Sequence, residues 1–391
     1  MKFTKFAAVS SAAGLAFAAA GAARADDTPA AAPAGPTALA SPAMSASLSS
    51  NADPLNADLG PLGKIWVSGQ VTAFGVSQTA APSASEKRKG DISNLQLEIQ
   101  KTDGVFQFYI QTGDYNLPSL GTPFFTSPKL TEATYKYVPV AYIKIVPNSS
   151  FSVEIGELPT LIGAEYTFTF QNLNIERGLL WNQEPAISRG VQANYTQGPI
   201  AVSVSVNDGY FSEHYSTVSG LVTWTATPKD SLAFAAQGNL DKTSRNTFVT
   251  PVAQNNGSIW NLLWTHTDGP WVLNPYLQYT TTPSDRALGL NGSASTFGGA
   301  VLTKYSFNPL FNLAGRVEYT SSSGSQVNLL YGTKSDAWSF TLTPTLQFKT
   351  YFVRGEFSYT KIESGTPGSE FGKFGNKTEQ SRALIETGVL F

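Results

Sequence analysis

From residue 64 to its carboxyl terminus the chain is a succession of short segments in which apolar and polar residues alternate. A period of two is the mark of a strand with unlike faces. In 64–78 the apolar face carries Ile65, Val67 and Val71, and in 91–101 Leu95, Leu97 and Ile99 oppose Asn94, Gln96, Glu98 and Gln100. In 104–113 Phe106, Phe108 and Ile110 oppose Gln107, Tyr109 and Gln111. The polar faces are too wet for the core of a packed sandwich. The same pattern predicts strands over 131–146, 150–159, 188–197, 199–208, 214–226, 230–240, 256–267, 270–281, 295–306, 309–321, 335–347, 350–361 and 379–391. That makes sixteen, with 14 or 18 left open because Pro275 and several glycines blur the period over 255–305.

The connections narrow the fold further. After every even-numbered strand except the last comes a short turn, such as Thr102-Asp103-Gly104, Gln197-Gly198-Pro199 or Phe307-Asn308-Pro309, and after every odd-numbered strand a longer polar link. A transmembrane antiparallel up-and-down β-barrel has this asymmetry, with short periplasmic turns, long external loops and an even strand number. A soluble sandwich gives no reason for its long loops to gather at one end. About sixteen strands enclose a water-filled lumen, whereas eight are filled by side chains. The closing strand, 379–391, must pair with the strand that begins at Lys64, since an open edge cannot persist in lipid. Arg382 and Glu386 on its polar face are therefore assigned to closure of the barrel. Aromatic residues fall mostly near strand ends, among them Tyr135, Tyr137, Trp224, Trp264, Trp271, Trp338 and Tyr351, where interfacial girdles lie.

Composition removes most alternatives. Cysteine is absent and histidine is limited to His214 and His266, so thiolate chemistry, metal clusters and cofactor ligation have almost no raw material; neither a metal nor a cofactor is expected. Residues 1–25 read as a signal peptide: Lys2 and Lys5, an apolar run from Phe6 to Ala20, then Ala23-Arg24-Ala25. Without them 23 Lys+Arg face 28 Asp+Glu, a net charge of −5 that argues against a nucleic-acid partner. Residues 26–63, rich in Ala, Pro and Ser, read as a periplasmic linker, with a lumenal plug or a periplasmic contact as the lesser reading. No later segment has the roughly 20 consecutive apolar residues of a spanning helix. The barrel is assigned to 64–391.

Candidate functional residues lie in two places. The longest connection, 160–187, is apolar and aromatic yet carries Glu165, Glu176, Arg177 and Glu184. An external loop of this composition needs a surface to pack on, and folding onto the inner wall puts those charges at a constriction, where pore diameter and lining charge set selectivity; packing over the rim is the alternative. Strand parity places a second set on the lumen wall: Lys136, Lys144, Glu154, Arg316, Glu318, Arg354 and Glu356. A lipid-facing Arg or Lys costs about 2–4 kcal/mol at the bilayer midplane, so the inward direction is strongly favoured. Each of these charges lines the lumen or forms a cross-wall ion pair.

The run GELPTLIGAEYTF, followed by ERGLLWNQEPAISRGVQANYTQGPIAVSVSVNDGY, resembles the OmpL-like outer-membrane porins of the putative β-barrel porin-2 family. The blocks SFTLTPTLQFKTYFVRGEFSYT and QSRALIETGVLF are similar to that family's closing strands, and DLGPLGKIWVSG to its entry into the barrel. The resemblance implies a Gram-negative outer-membrane barrel and passive passage of small solutes, with no residue roles carried over. The leading function is accordingly a porin for small hydrophilic solutes with no chemical step, its wall in contact with outer-membrane lipid; whether it stands as a monomer or a trimer is left open. Two other functions are weighed against it. One is a closed barrel acting as adhesin or anchor; the other is a hydrolase built on His214, whose solitary place in a loop beside Glu213 argues against catalysis.

Overall fold

The computed structural model describes residues 47–83, 85–325 and 330–391. The signal segment, and residues 26–46 of the expected linker, lie outside the described residues.

A short first strand, β1 (Leu55–Asp58), precedes the wall. The wall runs through β2 (Lys64–Gln78), β3 (Arg88–Lys101), β4 (Phe106–Tyr115), β5 (Val140–Asn148), β6 (Phe151–Pro159), β7 (Ile187–Gln197), β8 (Ile200–Asn207) and β9 (Thr217–Thr225). It continues through β10 (Asp230–Asn239), β11 (Ser258–Asp268), β12 (Trp271–Thr282), β13 (Ala294–Ser306), β14 (Phe311–Gly324), β15 (Asp336–Phe348), β16 (Tyr351–Ser364) and β17 (Glu379–Leu390). Each wall strand pairs antiparallel with its sequence neighbours, and β17 returns to β2 from Arg382↔Gln78 to Leu390↔Gln70. The result is a closed 16-stranded up-and-down barrel, the count read from the sequence. Counting the wall from β2, connections after its second, fourth and later even members (β3, β5 and so on to β15) are two or four residues long, and those after its odd members (β2, β4 and so on to β16) run from nine to 27 residues.

Alternation explains the wall. Outward residues such as Val71, Ile143, Val317, Phe357 and Ile385 are exposed, while Gln70, Glu154, Arg316, Glu318, Arg354, Glu356 and Glu386 on the opposite face are buried. Exposed aromatics gather at both rims: Trp224, Trp264, Trp271, Phe348 and Tyr351 at the short-turn end, and Phe297, Tyr279 and Tyr319 toward the other.

The structure differs from the sequence reading at two places. The strand expected over 131–146 begins only at Val140, and what precedes it is helix α1 (Ser127–Ala133), with Pro128 in its first turn and Leu130, Glu132 and Ala133 behind it. Pro at a helix start is pre-organised for φ and lacks an N–H that would go unpaired there anyway. Lys136 is consequently not a wall residue. It sits after the helix in the left-handed region (φ 62°), exposed, with its amide donating to Thr131 O at 3.0 Å and its ammonium to Glu132 O. Tyr135 and Tyr137 leave the girdle for the same reason: Tyr135 is buried and Tyr137 exposed on this loop. The second difference is β1, which pairs with the start of β2 from Leu55↔Val67 to Asp58↔Lys64 within the stretch expected to be linker.

Candidate functional site

Residues 160–186 connect β6 to β7, and nearly every one is buried. Apolar packing sets one side of this loop. Phe168 meets Tyr115 edge-on at 5.2 Å and stacks with Phe170 at 6.2 Å, and Tyr166, Phe168 and Ala186 share a cluster with Tyr109, Tyr135 and Val140. Leu173 and Leu180 pack with Leu263, Tyr276 and Leu302, which project from β11, β12 and β13.

The polar side of the loop is held by the buried face of the wall. Arg316 on β14 donates to Glu165 Oε1 at 2.6 Å, to Glu176 O at 2.8 Å and to its neighbour Glu318 at 3.1 Å. Arg354 on β16 donates to Thr169 O at 2.7 Å, Asn172 O at 3.0 Å and Glu386 at 2.7 Å. Arg382 on β17 donates to Glu176 Oε1 at 2.7 Å and to Ser119 O at 2.9 Å. The carboxylates take the complementary part. Glu356 accepts the amides of Ile175 (2.5 Å) and Glu176 (2.9 Å), Glu318 accepts those of Leu179 (3.1 Å) and Leu180 (3.4 Å), and Glu165 accepts that of Gly178 (2.8 Å). Neutral side chains complete the attachment: Thr169 to Glu386 at 2.6 Å, Asn94 to Thr169 at 2.6 Å, Asn174 to Thr343 at 2.7 Å and Gln183 to Thr296 at 3.0 Å. Backbone groups with no partner in their own loop must find one elsewhere when buried, and the wall's charges supply it. Gly178 is required by the same close approach, since a Cβ there would overlap the Glu318 carboxylate.

The structure therefore gathers Glu165, Glu176, Arg316, Glu318, Arg354 and Glu356 into one network, in which each guanidinium faces a carboxylate. Arg382 and Glu386, read from the sequence as closure residues, belong to it as well. Parity alone had marked them as inward-facing; their second role needed the loop's position. Lys144 and Glu154 lie outside it, joined at 2.9 Å as directly opposed residues of β5 and β6. Glu98 on β3, absent from the candidate set, is another buried wall carboxylate, held by Gln70 at 2.6 Å and Ser68 at 3.2 Å. Its signal was available, since it faces the same way as Gln96 and Gln100.

Two loop charges stand apart. The Arg177 guanidinium is fully buried, lies 4.8 Å over the Trp181 ring and has no hydrogen-bond acceptor among the described residues. Burial lowers its pKa to about 10, against the pull of Glu165 and Glu176. The Glu184 carboxyl is buried beside the Tyr276 hydroxyl, and burial pushes its pKa well up, with Glu165 and Glu318 adding to the effect and Tyr276 opposing it.

His214 comes near Ser216 and Asp241 on the external loops, but both ring contacts are 3.4 Å long, and the Ser216 hydroxyl donates instead to Asp241 O at 3.2 Å. That is an exposed loop contact rather than a nucleophile with its base. Among the described residues no group of His, Asp and Glu is arranged to hold a metal ion.

The family model for putative beta-barrel porin-2, OmpL-like, matches residues 64–391, the whole wall from β2 to the carboxyl terminus. The chain belongs to that family. Its place is accordingly the outer membrane of a Gram-negative bacterium. No curated protein matches the chain in sequence. Among solved structures it is similar to the in-vitro folded OmpT, an outer membrane protein of Vibrio cholerae, with TM-score 0.58 and 13% identity over 87% of this chain and 100% of that one. An anion-selective porin from Comamonas acidovorans gives TM-score 0.56 and 11% identity over 84% and 99%. The outer membrane channel DcaP of Acinetobacter baumannii gives 0.55 and 10% over 84% and 97%. At these identities the likeness is one of fold. Together with the family it supports a porin-like role in general terms.

Proposed function

We propose that the protein is a porin through which small hydrophilic solutes diffuse passively, with no chemical step. We further propose that residues 160–186 fold into the lumen and form its constriction. The observation that carries this reading is the set of hydrogen bonds from that loop to the polar wall residues of β3 and of β11 through β17. A loop lying over the rim would leave those buried charges without partners.

Selectivity then follows from pairing. Glu165 and Glu176 are neutralised locally by Arg316 and Arg382, so they hold the loop more than they attract cations. Purified protein in a planar bilayer should give discrete conductance steps, and repeated silence from well-folded protein would sink the proposal. The near-complete burial of the loop favours a second reading, a closed barrel acting as anchor or adhesin; the same recordings separate the two. A Vibrio cholerae OmpT of this fold has a trimer form, so trimer and monomer are the assemblies to distinguish, by cross-linking in membranes.

A further inference from the structure

Below residues 160–186, the third of the long connections and hereafter the third loop, the wall's short-turn end holds a stretch of chain that the porin reading leaves unused. Ser47 Oγ donates to Leu173 O of the loop at 3.0 Å, and Asn312 at the start of β14 donates to Ser47 O at 3.3 Å. Ser49 makes a reciprocal pair with Gln347 near the end of β15: its amide donates to Gln347 Oε1 at 2.8 Å, and Gln347 Nε2 donates back to Ser49 O at 2.7 Å. Between them Leu48, 7% exposed, packs with Phe352 of β16 and Leu390 of β17, with Phe170 of the loop against the same group. These partners come from two places: the underside of the loop, and the inward positions at the periplasmic ends of four successive strands.

The chain then leaves that mouth quickly. Asn51 and Asp53 close a tight turn on each other at 3.1 and 3.0 Å, and from Leu55 the chain is fixed to the edge of β2. Only residues 50–54 join the lumenal contacts to that anchor, six Cα–Cα steps from Ser49 to Leu55 and a reach of about 20 Å when fully extended. A segment on so short a tether stays near its site when it undocks. It is held by one buried apolar side chain and a few hydrogen bonds to neutral groups, whereas the loop above it is held by buried ion pairs. Elements with few buried contacts open first.

We propose that Ser47, Leu48 and Ser49 form a tethered latch that narrows the passage from the periplasmic side and sets, with the third loop, the size limit of the pore. The inference rests on the porin reading and adds a second, weaker-held element to the constriction. Releasing the latch widens the periplasmic aperture while the barrel and the third loop stay in place.

The test compares wild type, a variant lacking residues 26–53, and the point variant Leu48→Asp with Gln347→Ala, all recorded in planar bilayers with graded polyethylene glycols as size probes. Removal of the segment should raise unit conductance about two-fold or more and admit larger polymers; the point variant, which keeps β1 and the full tether, should move the same way. Because the chain has no cysteine, Leu48→Cys with Phe352→Cys gives a unique thiol pair, and a short bis-maleimide should join it in membranes and hold the wild-type conductance. Conductance and polymer exclusion unchanged by both releases, or a thiol pair that cannot be joined in folded protein, would overturn the latch while leaving a conducting porin. Silence from every form would overturn the porin reading and the latch with it.

Discussion

Arg316 illustrates how the wall's charges work. Its side chain is wholly buried, and its donors are divided among Glu165, the carbonyl of Glu176, Glu318 and Thr341. Desolvation makes such a group costly by itself, and removing one partner of a buried pair typically destabilises by about 3–5 kcal/mol because the other charge is stranded. Arg316→Met is expected to lower the unfolding free energy of vesicle-embedded protein by an amount in that range, measured from urea transitions. Adding Glu165→Gln should restore part of the loss; a double variant no more stable than the single one would show that the pair is not coupled. Glu184 gives the opposite case, a buried carboxyl with no cationic partner among the described residues, whose charge the Tyr276 hydroxyl favours less than burial and the neighbouring Glu165 and Glu318 oppose it. Its folded pKa is raised above the unfolded value of roughly 4.3. Above that value the unfolded chain releases a proton that the folded loop retains, so stability falls as pH rises toward the folded pKa and is highest below the unfolded one. Between about pH 4 and neutrality the third loop of wild type should become more open to protease as pH rises, whereas Glu184→Gln should flatten that dependence. Parallel pH profiles for the two proteins would remove Glu184 from the account.

At the level of elements, most of the wall was legible because two different solvents impose it. Lipid outside and a polar interior alternate along every strand, so Val317 and Glu318, or Val353 and Arg354, declare their faces by parity alone. The segment before β5 was not legible, because the order Thr-Glu-Ala-Thr-Tyr-Lys-Tyr-Val mimics a strand's alternation while Pro128 and the helix formers after it favour a turn of helix. The third loop could be picked out as needing a surface, but not where it would attach. Thr169 meets Glu386 across 217 positions of sequence and Arg382 meets Glu176 across 206, separations over which no local pattern operates. For the same reason Arg382 and Glu386 read only as closure residues, and β1 was hidden in a stretch whose composition suggests a linker. The alternation of short and long connections did carry over in full, since it depends only on strands entering and leaving at fixed ends.

For the molecule as a whole, the decisive step is sealing the edge of β2, and three pieces of chain share it. β17 covers residues 70–78 of that edge, Phe391 exchanges two backbone hydrogen bonds of 2.9 Å with Gly69, and β1 takes over from Val67 to Lys64. Gly69 is where the pieces meet: a Cβ there would lie 2.6 Å from the Phe391 ring and 2.7 Å from Gln96 O, so only glycine lets the terminal residue seat. An unpaired edge exposed to lipid is costly because no water satisfies its amides and carbonyls, and each lost hydrogen bond leaves a desolvated partner worth about 1–3 kcal/mol. Deletion of Phe391 should therefore lower the fraction of protein that refolds into lipid vesicles as a compact, heat-modifiable band on unboiled gels. Gly69→Val should do the same by displacing Phe391 while leaving the terminus intact. Because the seam is shared, removing residues 26–53, which spares β1, should leave this folding yield unchanged, so a conductance change in that variant could not be ascribed to an open wall. If the Phe391 deletion refolds as well as wild type, β17 and β1 seal the barrel without the terminal residue.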